Sequence, residues 1–380
     1  MNSFLILGLL AGCTAMAEPA RFYLGTYTDH SSSRGIYTGT LDTHTGRLGP
    51  IELAVRVVSP SFLALSPDEK FLYAAMENGG GSVTAFRVDA GGRLTQLNAL
   101  LADQGTCHVS VDATGSNVFA ANYTAGSAVC FQTGPDGSLN RRTALVKLTG
   151  SGPNLERQTH PYIHSMYAAP GNRFVYACDL GTDNVWVFDL DARSGTLTLA
   201  QPPAGKVPPG SGPRHLALHP NGRFAYVNGE MGMNVTAFAR NPDTGALTAI
   251  QTLPTLPAGV DTNGLTTAEI FCHPSGKWLY VSNRDVAKRG RDSIAVYAIA
   301  ADGKLTWQQD APAQVKVPRG FSIDPTGQWL IVGGQQDNKI VVLKIDDATG
   351  KLSATDQSAT VGTPVCVIFA STKKTSVIPH

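Results

Sequence analysis

The sequence lacks helical periodicity over any appreciable length. Its apolar residues alternate with period two, which is typical of half-buried β-strands. It also lacks a glycine-rich phosphate loop and a βαβ pattern, so no nucleotide cofactor is expected. Neither sign of charge predominates, because 30 Lys and Arg accompany 29 Asp and Glu for a net charge of +1. Without a basic run, nucleic acid is not expected as a partner.

Cysteine is scarce, and its count argues against a disulfide framework. Six cysteines include Cys13 in the leader described below, so a cleaved chain keeps an odd number. Cys107 and Cys130 could pair if their strands are neighbours, whereas the others are expected to be buried as small hydrophobic residues. The histidines have no short-range ligand spacing and no turn has the calcium-loop pattern, so no metal is predicted.

Long apolar runs are absent after the first residues, and no later segment could span a membrane. The run from Phe4 to Ala11 is followed by AMA at 15–17, which predicts a secretory signal peptide over residues 1–17 and a periplasmic location. LAGC at 10–13 resembles a lipobox, so a lipid anchor on Cys13 is the alternative to cleavage after Ala17. The segment before the apolar run carries no Lys or Arg. If the leader does not function, the protein is cytoplasmic.

A hairpin pattern recurs about every 50 residues, a period typical of propeller blades. The six copies are SPDEKFLYAA (66–75), DATGSNVFAA (112–121), APGNRFVYAC (169–178), HPNGRFAYVN (219–228), HPSGKWLYVS (273–282) and DPTGQWLIVG (324–333). Each is followed by an alternating strand, an Asp/Gly turn and a short outer strand. Such units have four strands each.

The two ends of the chain complete a seventh unit. ARFYLGTY (20–27) has only the second half of the hairpin, and the missing half is PVCVIFAS (364–371). The sequence therefore predicts an all-β, seven-bladed β-propeller over residues 21–371, whose terminal strands share one blade. Residues 372–380 are a tail, and the protein is expected to be a monomer.

In a propeller the innermost strand of each unit lines a central channel. Charged residues recur at the strand ends that lie at one rim of this channel. The inner strands are expected to start at His108, His164, His215, Glu269 and Phe321, and the second strands to end near Asn122, Asp179, Glu230, Arg284 and Gln335. Arg214 and Arg319 precede inner strands. His164, Arg214, Glu230, Glu269, Arg284 and Arg319 should therefore converge.

Four motifs at this rim resemble those of the lactonase family of seven-bladed propellers, which includes bacterial 6-phosphogluconolactonase and fungal carboxy-cis,cis-muconate lactonising enzyme. They are RQTHPYIHS (157–165), GPRHLALHPNGRFAYVNGE (212–230), AEIFCHPSGKWLYVSNRD (268–285) and PRGFSIDPTGQWLIVGGQ (318–335). The resemblance implies a catalytic set of His164, Arg214, Glu230 and Arg284. The sequence departs from the family at Tyr162 and Phe271, where relatives often have His, and in a longer loop at 285–291.

The resemblance implies a hydrolase that opens the δ-lactone of a sugar acid. Water attack on a ring ester needs a base, for which Glu230 and His164 are both candidates, and positive charge at the oxyanion, which Arg214 can supply. Arg284 and Arg319 can hold a phosphate or carboxylate, and Glu269 and Gln335 complete the predicted substrate-binding set.

Each of these residues also has a structural interpretation. Arg214 and Glu230 could form a simple ion pair, and His164 could be a core histidine. Gln335 and Asn122 suit hydrogen bonds at strand ends, and His215, His219 and His273 are interpreted as structural. A muconate-type lactonising enzyme, or a propeller that only binds a ligand or protein, stays open, but Arg, Glu and His at the rim favour an enzyme.

Overall fold

A computed structural model describes residues 19–370, and every regular element in that range is a β-strand. The 28 strands form seven antiparallel sheets of four strands each. Within this range no helix is long and apolar enough to cross a membrane. The leader predicted over residues 1–17 and the tail predicted over 372–380 lie outside the described residues.

Each sheet has an inner, a second, a third and an outer strand. The inner strands are β4 (Pro60–Leu65), β8 (Thr106–Val111), β12 (Ile163–Ala168), β16 (Pro213–Leu218), β20 (Leu265–Cys272), β24 (Pro318–Ile323) and β28 (Pro364–Phe369). The second strands are β1 (Ala20–Thr26), β5 (Phe71–Met76), β9 (Asn117–Asn122), β13 (Phe174–Asp179), β17 (Phe224–Gly229), β21 (Trp278–Asp285) and β25 (Trp329–Gly334). The third strands are β2 (Gly35–Leu41), β6 (Ser82–Val88), β10 (Ser127–Thr133), β14 (Asn184–Asp191), β18 (Asn234–Arg240), β22 (Ser293–Ile299) and β26 (Lys339–Ile345). The outer strands are β3 (Glu52–Arg56), β7 (Leu94–Leu101), β11 (Leu139–Lys147), β15 (Thr196–Lys206), β19 (Leu247–Pro254), β23 (Leu305–Pro312) and β27 (Leu352–Thr360).

The inner strands surround a central channel. Each one contacts the inner strand of the next sheet, from β4 through β8, β12, β16, β20 and β24 to β28, which contacts β4 again. This closed cycle of seven sheets is a seven-bladed β-propeller, so the predicted fold is confirmed. Because the blades are joined through their faces, the apolar cores lie between neighbouring blades.

The blade that contains both ends of the chain has the strand order β28, β1, β2, β3. β1 and β28 are antiparallel, with Phe22 opposite Phe369 and Gly25 opposite Cys366. The first and last strands of the described chain therefore hold the ring closed by backbone hydrogen bonds, as the half-units in the sequence predicted.

The repeated tyrosine of the hairpin motif links one blade to the next. The hydroxyl of Tyr226 in β17 donates to the carbonyl of Gly303, in the turn that precedes the outer strand of the following blade. Tyr73, Tyr176 and Tyr280 make the same contact with Gly137, Gly245 and Gly350. At Gly303 the backbone has φ of 82°, and a Cβ would meet the ring of Phe224, so only glycine fits there.

The possible disulfide between Cys107 and Cys130 is wrong. Cys107 lies in β8 and Cys130 in β10, and β9 separates these strands. Both are free and buried, as are the other cysteines of the described range. Their side chains serve as small apolar groups in the core.

His219 and His273 occupy hairpin turns, as the sequence suggested. Nδ1 of His219 accepts from the backbone N–H of Asn221, and its Nε2 contacts the carbonyl oxygen of Gly276. His273 repeats this arrangement in the next blade. Both histidines thus tie a turn to the neighbouring blade.

Candidate active site

The candidate site lies where the inner strands begin and the second strands end. Each inner strand has a β-bulge at this point, so that two of its residues oppose one residue of the second strand. The extra residues include His164 in β12, Arg214 and His215 in β16, Glu269 in β20 and Arg319 in β24. A bulge redirects side chains, and here it brings these polar groups into the channel.

Glu230, which directly follows β17, is surrounded by three guanidinium groups. Its Oε2 lies 3.0 Å from Nε of Arg214 and 3.2 Å from Nη2 of Arg284. Nη2 of Arg157 donates to Oε1 over 2.8 Å. Burial by itself would raise the pKa of this carboxyl, but the charges of Arg284 and Arg214 and the hydrogen bond from Arg157 outweigh it and lower the pKa to about 2. Glu230 is therefore ionised, and both of its oxygens are occupied.

Arg214 is held by three contacts at two of its nitrogens, and its side chain is only 2% exposed. Besides the bond from Nε to Glu230, Nη1 donates to the carbonyl oxygen of Ala268 over 2.6 Å and lies 3.2 Å from Nε2 of His215. Nη2 makes no hydrogen bond to any residue in the range 19–370. This nitrogen is the part of Arg214 that remains available to a ligand.

Arg284 and Arg319 differ in how far they are bound by the protein. Nη2 of Arg284 donates to the carbonyl oxygen of Thr267 over 3.0 Å and also faces Glu230, while its buried Nε has no partner. Arg319 lies over the ring of Tyr27, 5.4 Å from the ring centre, and forms no hydrogen bond or ion pair within residues 19–370. Arg319 is thus the least engaged cation at this rim.

His164 lies beside the arginines and is neutral. Burial lowers its pKa well below the usual value, and the positive charge of Arg214 lowers it further. Its ring packs edge-on against Tyr123 and His215, at centroid distances of 5.5 and 5.2 Å. Nδ1 is buried without a hydrogen-bond partner in the described part of the chain. This leaves Nε2 as the nitrogen that can act on a ligand.

His215, interpreted as structural from the sequence, connects Arg214 to a second buried glutamate. Its Nδ1 lies 2.7 Å from Oε1 of Glu269. Because Arg214 can only donate, the contact from its Nη1 requires a lone pair on Nε2 of His215, so the proton of this neutral ring is on Nδ1 and is donated to Glu269. Burial raises the pKa of Glu269 to about 8, although the charge of Arg214 opposes that shift.

Arg157 is a second residue that the sequence interpretation missed. It lies in the loop before β12, and Nη2 donates to the hydroxyl oxygen of Tyr123 over 3.2 Å as well as to Glu230. Its side chain is 43% exposed, in contrast to Arg214. The letters RQTHPYIHS contain this arginine, but nothing in the pattern singles it out from an ordinary surface arginine.

Two members of the predicted substrate-binding set are placed differently from the arginines. Glu269 contacts the cluster through His215 rather than through Arg319. Gln335 is half-buried in the loop after β25, where its backbone N–H donates to the carbonyl oxygen of Val317, and its side chain has no hydrogen bond within the described residues. Asn122 bonds Thr106 and Ser127 at a strand end, as its structural interpretation suggested.

The departures from the family pattern lie around the same rim. The ring of Tyr162 packs against Tyr123 and His160, at 4.7 and 4.0 Å between centroids. In the loop 285–291, the carboxylate of Asp285 accepts hydrogen bonds from both Nε and Nη2 of Arg291. Among residues 19–370, no three His, Cys, Asp or Glu side chains are placed to hold a metal ion.

The fold and the cluster define a propeller with an arginine-rich site at one end of its channel, suited to a small anionic or ester ligand. Residues 21–369 match the family described as lactonase, 7-bladed beta-propeller. The chain belongs to this family, which confirms the resemblance seen in the sequence.

Similar proteins cover almost the whole chain. It is 35% identical to a 6-phosphogluconolactonase of Bacillus subtilis (strain 168), over 91% of this chain and 97% of that protein. A crystal structure of a putative 6-phosphogluconolactonase from Bacteroides fragilis superposes with a TM-score of 0.86 at 33% identity, covering 94% of this chain and 99% of the other. The periplasmic gluconolactonase PpgL of Pseudomonas aeruginosa superposes with a TM-score of 0.85 at 28% identity, covering 93% and 99%.

Proposed function

We propose that this protein is a hydrolase that opens the δ-lactone ring of a sugar acid, in the 6-phosphogluconolactonase class. The observation that carries the proposal is the set of guanidinium groups around Glu230, because each of the three keeps nitrogens that bond no residue of the described chain. Such groups stabilise the negative charge that develops on the carbonyl oxygen of an ester under attack. The names of the relatives support the same activity.

The shifted pKa values support different roles for His164 and Glu230, whose assignment as base the sequence left open. A carboxylate with a pKa of about 2 and both oxygens bonded to arginines is a weak base. Glu230 instead balances the charge of Arg214 and Arg284 and fixes their orientation. His164 is neutral at neutral pH and is the base in this proposal.

The reaction then proceeds by addition of water and cleavage of the ring ester. A water molecule attacks the carbonyl carbon while Nε2 of His164 takes its proton. Nη2 of Arg214 and the free edge of Arg284 stabilise the oxyanion, and the bond to the ring oxygen breaks. The proton from His164 passes to the departing oxygen, which becomes a hydroxyl group, and the product is the open acid. A positioned base contributes about 10²–10⁴-fold to such a step.

Arg319 is assigned to the anionic or hydroxyl-bearing end of the substrate, because it forms no hydrogen bond or ion pair within the described chain. A phosphate or a carboxylate would accept two hydrogen bonds from its planar guanidinium. Glu269 and Gln335 are assigned to the surroundings of the substrate. The substrate range includes unphosphorylated sugar lactones.

We further propose that the protein is exported and acts as a monomer. The apolar run and AMA sequence at 15–17 support cleavage after Ala17, and LAGC at 10–13 supports lipidation of Cys13. The likeness to a periplasmic gluconolactonase agrees with export. Mass spectrometry of the mature amino terminus distinguishes cleavage, lipidation and an intact leader.

The direct test is hydrolysis of glucono-δ-lactone and its 6-phosphate by the purified protein, corrected for spontaneous hydrolysis. The expected result is a rate above that of the buffer for at least one of them. If neither lactone is opened while the circular-dichroism spectrum shows folded β-structure, the proposed activity is wrong and the alternative of a propeller that only binds a ligand is favoured.

A further inference from the structure

A cavity of about 590 Å³ occupies the other end of the channel, around the C-terminal halves of the inner strands. All seven inner strands contribute to its lining, from Phe62 in β4 to Phe369 in β28. The arginine cluster lies at the opposite ends of the same strands. A volume of roughly 300–1,000 Å³ with a mostly apolar lining is typical of sites for small organic ligands.

The lining combines aromatic rings with acidic groups. Its aromatic residues are Phe62, Tyr167, Phe271, Phe321 and Phe369. Glu269 and Asp324 supply two carboxyl groups, whereas no Lys, Arg or His of the described chain lines the cavity. Aromatic faces and carboxylates both attract organic cations, and neither favours an anion.

Only one of the two carboxyl groups is available to a ligand. The oxygens of Asp324 accept from the backbone N–H groups of its own turn, at Thr326, Gln328 and Trp329. Oε1 of Glu269 accepts from His215 and from the backbone N–H of Ile270. Oε2 of Glu269 has no hydrogen-bond partner within residues 19–370, although the residue is only 7% exposed.

We propose that this cavity binds a small apolar amine as its ammonium ion, with the ammonium group at Oε2 of Glu269 and the apolar body among the aromatic side chains. A primary ammonium donates to the carboxylate and also gains from nearby ring faces. The acid product of lactone opening is an anion, so it is excluded from this cavity. The cavity meets the arginine cluster only at Glu269, and the proposal does not depend on the lactonase activity.

Binding to this site depends on pH through Glu269. The titratable or charged groups that act on its carboxyl are His215 and Arg214 from β16, Arg319 from β24, Tyr167 from β12 and Cys366 from β28. Because burial raises the pKa of Glu269 to about 8, the empty site holds a proton at neutral pH, and the ammonium ion displaces it. Affinity should consequently increase as the pH rises from 7 to 9 and be accompanied by proton release.

The test is isothermal titration calorimetry of the purified protein with 2-phenylethylammonium, compared with the neutral 2-phenylethanol and the anionic 3-phenylpropanoate. The expected order of affinity is ammonium, then alcohol, with no binding of the anion. In Glu269→Gln the ammonium should bind about 10-fold more weakly or worse, because a hydrogen bond to a charged group is lost, while the alcohol should be less affected.

A second pair of variants tests the position of the site without changing its charge. Leu218→Trp fills the cavity from the end of β16 and should abolish binding of the ammonium ion, whereas Leu101→Trp, at a position 73% exposed, should leave it unchanged. Circular dichroism verifies that both variants are folded. Equal binding of the anion, unchanged affinity in folded Leu218→Trp, or absence of saturable binding to the unmodified protein overturns the proposal.

Discussion

Glu230 and Glu269 are two buried glutamates joined through Arg214 and His215, and their pKa values are far apart. Glu230 bonds Nε of Arg214 and has a pKa of about 2, whereas Glu269 bonds His215, which contacts Nη1 of the same arginine, and has a pKa of about 8. Environments that separate two carboxyl groups in this way give them different tasks. Glu230 is a permanent anion that balances the positive charge of the arginines, whereas Glu269 exchanges a proton near neutral pH.

The arginine cluster predicts large losses of activity on substitution. Glu230→Gln removes the charge that orients Arg214 and Arg284, and Arg214→Ala removes an oxyanion donor. Each should lower kcat/KM for a sugar lactone at least about 100-fold, or about 2.7 kcal/mol. Steady-state kinetics on folded protein measures this, with the exposed Glu52→Gln as a control expected to retain full activity. Wild-type kcat/KM in both folded cluster variants would refute the site assignment.

His164 is expected to be needed for the chemical step rather than for binding. His164→Gln should lower kcat about 10²-fold or more and change KM little, since the base acts only after the substrate is bound. His44→Gln, at an exposed position, is the matched control. If KM rises while kcat is unaffected, His164 binds substrate and another group is the base.

The activity should persist into mildly acidic solution. A histidine whose pKa lies well below its usual value stays unprotonated, and can therefore still accept a proton, when the pH falls below 6.5. The profile of kcat/KM against pH should show no loss near that value. A drop centred near pH 6.5 would mean that His164 is not the base or is not buried in solution.

The free energy of unfolding is expected to decrease as the pH falls, because buried histidines are neutral in the folded protein. Burial lowers the pKa of His108, and no hydrogen bond to its Nε2 exists in the described chain. Below pH 6.5 the unfolded chain binds a proton at this position and the folded one does not, so stability decreases as the pH falls. His108→Phe should reduce that slope by up to about 1.4 kcal/mol per pH unit. Urea unfolding between pH 7 and 5 measures it, and an unchanged slope would contradict the neutral state of His108.

Ring closure predicts different outcomes for two truncations. Deleting residues 360–380 removes β28, so β1 loses its partner and the protein should not fold. Deleting only residues 371–380 leaves all 28 strands and should preserve the melting temperature. Thermal melts by circular dichroism compare the two, and a wild-type transition in the longer deletion would show that closure by β28 is not needed.

The role of Arg319 can be tested with two lactones that differ by a phosphate. If the substrate is not restricted to the phosphorylated form, kcat/KM for glucono-δ-lactone and its 6-phosphate should be comparable. A clamp of charged hydrogen bonds on phosphate would instead favour the phosphorylated lactone more than about 100-fold. That result would overturn the proposed substrate range.

The sequence was sufficient to predict the propeller because the turn residues of each repeat align the repeats with one another. The Tyr226 and Tyr280 hairpins align without gaps, and the half-units at Tyr23 and Cys366 identify the shared blade. Arg214 and Glu230 could be placed together for the same reason, since the hairpin between them fixes their separation.

The place of His215 in the site could not be predicted from the alternating directions of side chains along a strand. In a regular strand, Arg214 and His215 would point to opposite faces, which makes the histidine a core residue. The bulge between Pro213 and Leu216 removes that alternation and places both in the channel. Bulges depend on the pairing of two strands and have no signature in either strand alone. Arg157 was missed for a different reason: the loop that contains it is not part of the repeated pattern.

The pairing of β1 with β28 also dictates the order of events during synthesis. β1 leaves the ribosome among the first strands and must wait for almost the entire chain before its partner is translated. Contacts between residues so distant in sequence form late and slowly. The nascent polypeptide therefore remains unable to complete its native structure until β28 has been translated. Such a delay favours any transport step that requires an unfolded chain.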